Sequence, residues 1–296
     1  FNSQTYKNIE ILIVDNDSTD ESVAYLKQYF PGIKIIINKN NLGYPRAVNI
    51  GIKKSKGEYI LLINNDTWVK KDFVDKLYKF YKNNNYSVIS PIVREYDDGN
   101  ASVNIPTIDP TGSPAYFFPI TRKDKVFYLS SCYFCSKNDY EKTKGFDDNY
   151  FAYYEDVDWF WRMNLLRIKF SFVQDVFVYH AGAGSMGKGI KYKMFLWRNQ
   201  NVLQTLLKNY SLPSLIIVLP IYLIQNIFEI LLFLIILKPQ IAFSYIEGWH
   251  FNLKNLPKII KKRKWVQKNR KVSDLEILKK MYLGPAKLKM LLNYQK

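Results

Sequence analysis

With 296 residues, 48% hydrophobic and 16% aromatic, the chain can bury one large core or two smaller ones. It carries no low-complexity tract, internal repeat or signal-peptide pattern, which excludes a repeat array. The net charge of +17 is uneven: residues 211–296 hold 15 Lys/Arg against 4 Asp/Glu, so an anionic partner, nucleic acid or a membrane surface, is expected at that end.

Phe1-Asn2-Ser3-Gln4-Thr5 leads almost at once into an apolar run, so the chain is expected to start inside a domain. Ile11-Leu12-Ile13-Val14 enters Asp15-Asn16-Asp17 and reads as a strand ending in acids. Ser18-Thr19-Asp20-Glu21 has the S-x-x-E form of a capping box and predicts a helix through about Tyr29. Pro31-Gly32 breaks it, residues 33–37 predict a strand, and Pro45 suits the first turn of a helix to about Ser55. Tyr59-Ile60-Leu61-Leu62-Ile63 then enters Asn64-Asn65-Asp66-Thr67. A short apolar run bounded by polar residues reads as a fully buried strand of a parallel sheet. Strand, helix, strand, helix, strand is the pattern of a parallel sheet with helices on its faces. Asp66 is then either a carboxylate at the sheet rim, where ligands bind, or the N-cap of a helix predicted from Lys71 to Tyr81.

Residues 87–93 predict a strand, and 96–125, with four prolines and little periodicity, a long irregular loop of the functional or mobile kind. Residues 126–135 read as a strand holding Cys132 and Cys135, whose alternation puts the thiols on opposite faces. A zinc site would need two more ligands at suitable spacing and a redox C-x-x-C would open a helix. Structural thiols in a reducing compartment are therefore expected. A short helix over 138–144 stops at Gly145, and Glu155-Asp156-Val157-Asp158 opens another to about Leu166. Residues 170–173 and 175–179 predict two strands, the second ending at His180. A loop with four glycines over 181–189 and a helix over 191–208 follow.

Residues 212–237 hold no Lys, Arg or Asp and a single Glu, Glu229. That is long enough to cross a bilayer once, and equally suits a buried pair of core helices. Nine Lys/Arg and no acid occupy 254–271, while Lys191, Lys193, Arg198 and Lys208 precede the segment, so both flanks favour the cytoplasm. Two spans would need about 40 residues. The segment is expected to dip into one leaflet or lie in the interface, with the basic run on anionic lipid at the cytoplasmic face of the cell membrane. Nucleic acid would not need the apolar segment. The expected division is a domain over 1–208 and an apolar-basic helical region over 209–296.

Three clusters stand at predicted strand or loop ends: Asp15-Asn16-Asp17, Asn64-Asn65-Asp66, and Glu155-Asp156 with His180. A hard cation bridging phosphates is usually held by one or two carboxylates plus phosphate oxygens. Asp66 and His180 could supply that set, imidazole being acceptable to Mn²⁺. Asp156 or Glu155 could serve as a general base. Singly, each acid could as well be a cap or a surface charge, and His180 a satisfied histidine at a strand end.

The run Gln4-Thr5-Tyr6-Lys7-Asn8-Ile9-Glu10 into Ile13-Val14-Asp15-Asn16-Asp17-Ser18-Thr19-Asp20 resembles the opening of a family 2 inverting glycosyltransferase. Asn41-Leu42-Gly43, Ala47, Asn49, Gly51, Gly57-Glu58-Tyr59, Asn64-Asn65-Asp66-Thr67, Gly145-Phe146-Asp147, Tyr154 to Asp158 and His180 continue the match in order, over roughly residues 3–200. The variety is similar to the rhamnosyltransferase-type enzymes that build surface polysaccharides. The resemblance implies a GT-A fold, which is a Rossmann-like mixed α/β sheet flanked by helices. It also implies a nucleotide-diphosphate sugar donor, a glycan or lipid-linked acceptor, and a divalent metal, Mg or Mn. On it, Asp15 and Asn16 sit at the nucleotide base and ribose, and Asp17, Arg46 and Asn65 join them in donor binding. Asp66 matches the last acid of the family's D-x-D motif as a metal ligand, and His180 a residue near diphosphate and metal. Asp156 matches the acid taken as the base, with Glu155 beside it. Asn64 stands where D-x-D has its first acid, which leaves fewer carboxylates for the metal. The family's preceding strand and helix would lie before Phe1, so the chain is expected to be N-terminally truncated.

Two other functions fit the same residues. One is a non-catalytic, membrane-associated nucleotide-sugar or glycan-binding protein. The other, a nucleotidyltransferase, favours a Gly-rich phosphate loop bearing Lys or Arg near the first strand, where this chain offers only Arg46.

Overall fold

The computed structural model describes residues 1–95, 104–119, 121–129, 132–181, 192–287 and 289. In chain order its elements begin β1 (Leu12–Asp15), α1 (Ser22–Tyr29), β2 (Lys34–Ile37), α2 (Tyr44–Lys54), β3 (Tyr59–Ile63), β4 (Thr67–Val69), α3 (Phe73–Asn83) and β5 (Val88–Glu95). β6 (Asn104–Ile108), β7 (Pro114–Pro119), β8 (Cys132–Ser136), α4 (Lys137–Lys142), α5 (Glu155–Leu165) and β9 (Phe170–His180) follow. The remainder is helical: α6 (Tyr192–Asn209), α7 (Leu212–Ile235), α8 (Pro239–Lys254), α9 (Leu256–Asn269) and α10 (Asp274–Leu278). Two compact units emerge, one holding β1 to β5, β8, β9 and α1 to α4, the other β6, β7 and α5 to α10.

In the first unit β1 and β2 form a parallel pair, and a five-stranded sheet runs in the order β3-β8-β5-β9-β4. β5 and β9 are parallel, whereas β3 with β8, β5 with β8 and β4 with β9 are antiparallel. The sheet is therefore mixed, as expected of the class. β3 departs from the expectation of a fully buried parallel strand: its one ladder among the described residues is antiparallel, and only Ile60 in it is buried. An apolar run reports covered faces and says nothing of a partner's direction. Tyr59, Leu61 and Ile63 alternate onto one face and pack on the core of Phe73, Leu77, Phe134 and Val178.

Two local expectations change, and the alternatives at Asp66 are decided. Asp66 is followed by β4 and not by a helix, because Thr67-Trp68-Val69 pairs with β9 and α3 starts only at Phe73. The cap of α3 comes from far away: buried Gln4 accepts from the Val74 N–H at 3.0 Å and donates to the Lys70 carbonyl at 2.8 Å. The S-x-x-E at Ser18 is no capping box, since α1 starts at Ser22 with Glu21 as its uncapped N-cap and Asp20 accepting from the Ser22 N–H. Such a box instead opens α10, where Ser273 and Glu276 bond reciprocally. Finally, β9 is one strand, and the break expected near Gln174 is a bulge that makes Val173 and Phe177 successive partners of Pro91 and Ile92.

Part of the expected irregular stretch 96–125 is regular in the second unit, where β6 and β7 form an antiparallel hairpin. Pro106 lies at its register shift, Pro114 and Pro119 at its strand ends, which are the places a ladder tolerates proline. Residues 96–103 and 120, and the glycine-rich loop from 182 to 189, lie outside the described residues. The hairpin's unit has an aromatic core: Trp161 meets Tyr210 at 4.8 Å and Phe127 at 5.5 Å between ring centroids, all three edge-on and buried. α8 packs along α6 and α7, and α9 along α6. Among the described residues α7 alone is long and apolar enough to cross a membrane by length and composition.

Candidate active site

In the first unit the ends of β1, β3 and β9 carry the expected residues. Asp15, buried at the end of β1, accepts from the Ser18 N–H at 3.3 Å. Asn16 beside it is fully occupied. Its Oδ1 accepts from the Leu42 N–H at 3.0 Å and from Asn38 at 3.2 Å, while its Nδ2 donates to Asn41 Oδ1 at 3.0 Å and the Gly43 carbonyl at 3.3 Å. One amide thus folds the loop between β2 and α2. Gly43 has φ of +82°, and a Cβ there would stand 2.5 Å from the Phe151 carbonyl oxygen, which accepts from the Tyr44 N–H at 2.8 Å. Only glycine permits that approach.

Tyr44 then donates its hydroxyl to Asn64 Oδ1 at 3.2 Å, and Arg46 donates from Nε to the Asp148 carbonyl at 2.8 Å. Asp17, Arg46 and Asn65 are exposed on this side of the unit, Asp17 with φ of +71°. Asp66 and His180 are brought together by the antiparallel register that sets Thr67 opposite His180. His180 Nε2 lies 3.3 Å from Asp66 Oδ2, and both side chains are about one quarter exposed (25% and 24%). The other oxygen, Asp66 Oδ1, is enclosed and has no hydrogen-bond partner among the described residues. A buried carboxylate oxygen without a donor fits a cation. No cluster of three or more His, Cys, Asp or Glu suited to a metal exists among the described residues. Asp66 and His180 could offer one carboxylate and one imidazole, a set that suits an ion that keeps waters and takes phosphate oxygens.

The second unit holds Glu155 and Asp156 on the first turn of α5. Tyr153 and Tyr154 before them both have φ of +67°, a left-handed pair that non-glycine residues adopt only when the surroundings impose it. The imposing contacts are visible. Tyr154 donates to the Gly112 carbonyl at 2.6 Å, and the Tyr153 carbonyl accepts from Asn201 at 2.7 Å. One turn on, fully buried Asp158 accepts from Arg162 at 3.0 Å, Lys208 at 2.9 Å and Asn209 at 3.0 Å, pinning α5 to α6. Glu155 Oε2 is shielded and lacks a partner among the described residues. Burial, and then the neighbouring Asp156 charge, pushes the Glu155 carboxyl well up; burial pushes Asp156 up as well. Both residues are half-buried as whole side chains, so it is the enclosed carboxyl ends that carry the effect. Burial raises the pKa of Tyr116 and Tyr128, with a smaller contribution from the Asp156 charge, and these phenols bond each other at 3.0 Å.

Asn41, Tyr44, Tyr116 and Tyr128 were not legible as site residues. Asn41 had a signal in the asparagine-rich loop before Gly43, since short amides hold turns; the tyrosines had none, because their contacts span large sequence separations. The two cysteines of β8 are buried and unbridged, and burial raises both thiols.

Comparisons with known proteins bear on the family and the fold. A model of glycosyl transferase family 2 matches residues 1–163. Glycosyltransferase GlyG of Streptococcus pneumoniae is 34% identical over 102 residues, 33% of this chain and 34% of GlyG. The low-salt glycan biosynthesis hexosyltransferase Agl10 of Haloferax volcanii is 28% identical over 186 residues, 58% of each chain. The match thus spans less than two thirds of either relative. The crystal structure of GalNAc-T7 with UDP, GalNAc and Mn²⁺ superposes with a TM-score of 0.55 at 15% identity, over 66% of this chain and 41% of that one, a likeness of GT-A fold. With more than half of its residues matched to the family model, the chain belongs to glycosyl transferase family 2.

Proposed function

We propose that the chain is an inverting glycosyltransferase that moves a sugar from a nucleotide-diphosphate donor to a hydroxyl of a glycan or lipid-linked glycan. The observation that carries this reading is the Glu155–Asp156 pair, two enclosed carboxyls of raised pKa at one helix start. Asp156, the less raised, takes the proton of the acceptor hydroxyl as that oxygen bonds to the anomeric carbon. The bond from the anomeric carbon to the diphosphate oxygen breaks on the opposite side, which inverts the centre in one displacement. Glu155 and Asp156 titrate as a pair, and the charge on one keeps the proton on the other to higher pH. Asp15 meets the nucleotide base or ribose, Asn16 shapes the loop beside it, and Asp17, Arg46 and Asn65 line the donor. Asp66 and His180 would hold a divalent metal, which supplies charge neutralisation for the leaving diphosphate. The apolar-basic C-terminal helices hold the chain at the cytoplasmic face of a membrane, close to a lipid-linked acceptor.

Sugar transfer by the full-length protein, with the product anomer read by NMR, tests this. Inverted product from the parent, and a rate lower by roughly 10²–10⁴-fold from Asp156→Asn, is expected; full activity in the variant would remove Asp156 as the base. A binding protein without turnover is the second reading, favoured by Asn64, whose Oδ1 is already engaged by Tyr44. Calorimetric donor binding with no transfer to any acceptor would support it.

A further inference from the structure

α7 is inside out. Every exposed position along its 24 residues is apolar, including Ile216, Ile217, Ile224, Phe228, Leu231 and Ile235. Its polar side chains face the protein instead. Tyr222 and Asn226 are buried, Gln225 accepts from Thr111 at 2.9 Å, and Glu229 pairs with Lys287 at 2.8 Å. A surface helix in water shows the reverse distribution. The outward stripe continues on α8, where Phe243, Ile246 and Leu253 are exposed, and on α9, where Leu256 and Ile260 are. Beside it α9 exposes Lys258, Lys261, Lys264 and Lys268, with no acid anywhere from 254 to 271.

We propose that α7, with the exposed edges of α8 and α9, lies in the plane of an anionic membrane, its outer side sunk into one leaflet and the α9 lysines on the headgroups. Three observations set this apart from a crossing. The chain before and after α7 belongs to one packed bundle, since α8 and α9 both return along α6. That return is held by polar locks: Asn199 to Ser244 at 2.9 Å, Asn252 to the Gln200 carbonyl at 2.9 Å, and Arg263 to the Leu207 and Tyr210 carbonyls at 2.6 Å each. The inward groups of α7 are satisfied by Thr111 of the β6–β7 turn and by Lys287, which a span would carry into hydrocarbon. The occupant is lipid and not a second copy because protein interfaces deplete lysine. An apolar face edged with lysine is what an anionic interface binds.

This deepens the membrane-associated reading above and is measured without sugar transfer, so either can fail alone. The full chain is added to preformed vesicles of phosphatidylcholine with phosphatidylglycerol, and flotation is read. Binding that weakens on pure phosphatidylcholine is expected. Ile217→Ser, Ile224→Ser and Phe228→Ser together should abolish it with an unchanged near-ultraviolet spectrum, since all three side chains are exposed. Lys261→Glu, Lys264→Glu and Lys268→Glu together should lower partitioning onto anionic vesicles about a hundredfold and leave neutral vesicles unaffected. Single cysteines at Lys238→Cys and Asn269→Cys should both react with an impermeant maleimide from outside. Protection of both, while Lys193→Cys before α7 still reacts, would establish a crossing and overturn the proposal. So would failure of the parent chain to bind either vesicle, with or without dimerisation through the same face.

Discussion

Glu155 and Asp156 oppose each other's ionisation, and the enclosure of both makes their order matter. Asp156→Asn is expected to lower kcat by roughly 10²–10⁴-fold, the usual worth of a positioned base, with donor KM little changed. Because Asp156 is raised, kcat/KM of the parent should fall on acidification with a midpoint above the ordinary Asp value of about 3.9. Glu155 makes a prediction about stability whose sign follows from the same enclosure. Its folded pKa lies above the unfolded one, so the stability it contributes is present at low pH and is lost as pH rises through the folded value. Glu155→Gln, which cannot ionise, should match the parent in denaturant melts near about pH 4 and exceed it by about 1–3 kcal/mol well above neutrality. Gly43 supplies the third test. Its +82° φ and the Phe151 carbonyl 2.5 Å from any added Cβ mean that Gly43→Ala should cost about 1–3 kcal/mol in thermal melts and raise donor KM by moving the Asn16 loop.

At the scale of elements, the α5–α6 joint depends on charges sealed from water. Asp158 is buried together with Arg162 and Lys208, and its removal would take a carboxylate from two buried cations. Asp158→Ala should therefore cost about 3–5 kcal/mol in chemical denaturation. Elements with strong periodicity or punctuation were readable from residues alone: α2 with Pro45 near its start, α3 with its spaced aromatics, α4 stopped by Gly145. β4 was not, because three residues carry no period. Its existence depends on β9, more than 100 residues later, and so does the Asp66–His180 approach. The prolines between 104 and 119 argued against strands when counted, yet each lies where a ladder can spare an N–H or in the turn. Position within a ladder, and not composition, decided that hairpin, and position is a tertiary fact.

Over the whole molecule, hydropathy and charge were legible at once, and their arrangement was not. The sequence shows an apolar block and a basic block as neighbours; only the packed helices show that the polar residues of the first point inward. The acidic clusters were likewise legible as candidates because each ends a strand or opens a helix. What assembles around them was invisible, since Asn16 reaches 25 residues to Asn41 and Tyr44 reaches 20 to Asn64. Distances of that kind are set by chain topology and leave no local mark.

The buried thiols of β8 have a use that concerns measurement more than chemistry. Cys132 and Cys135 sit on a strand with ladders on both sides, and their raised pKa suppresses the reactive thiolate. A thiol reagent is consumed only when that strand opens. Its uptake by the native chain at neutral pH should be slow, and its rate should report the opening free energy of the central sheet without any added probe. Reaction of both thiols at the speed of a free thiol would show that β8 is not held as described. The same silence allows a cysteine introduced elsewhere to be followed with the native pair left in place.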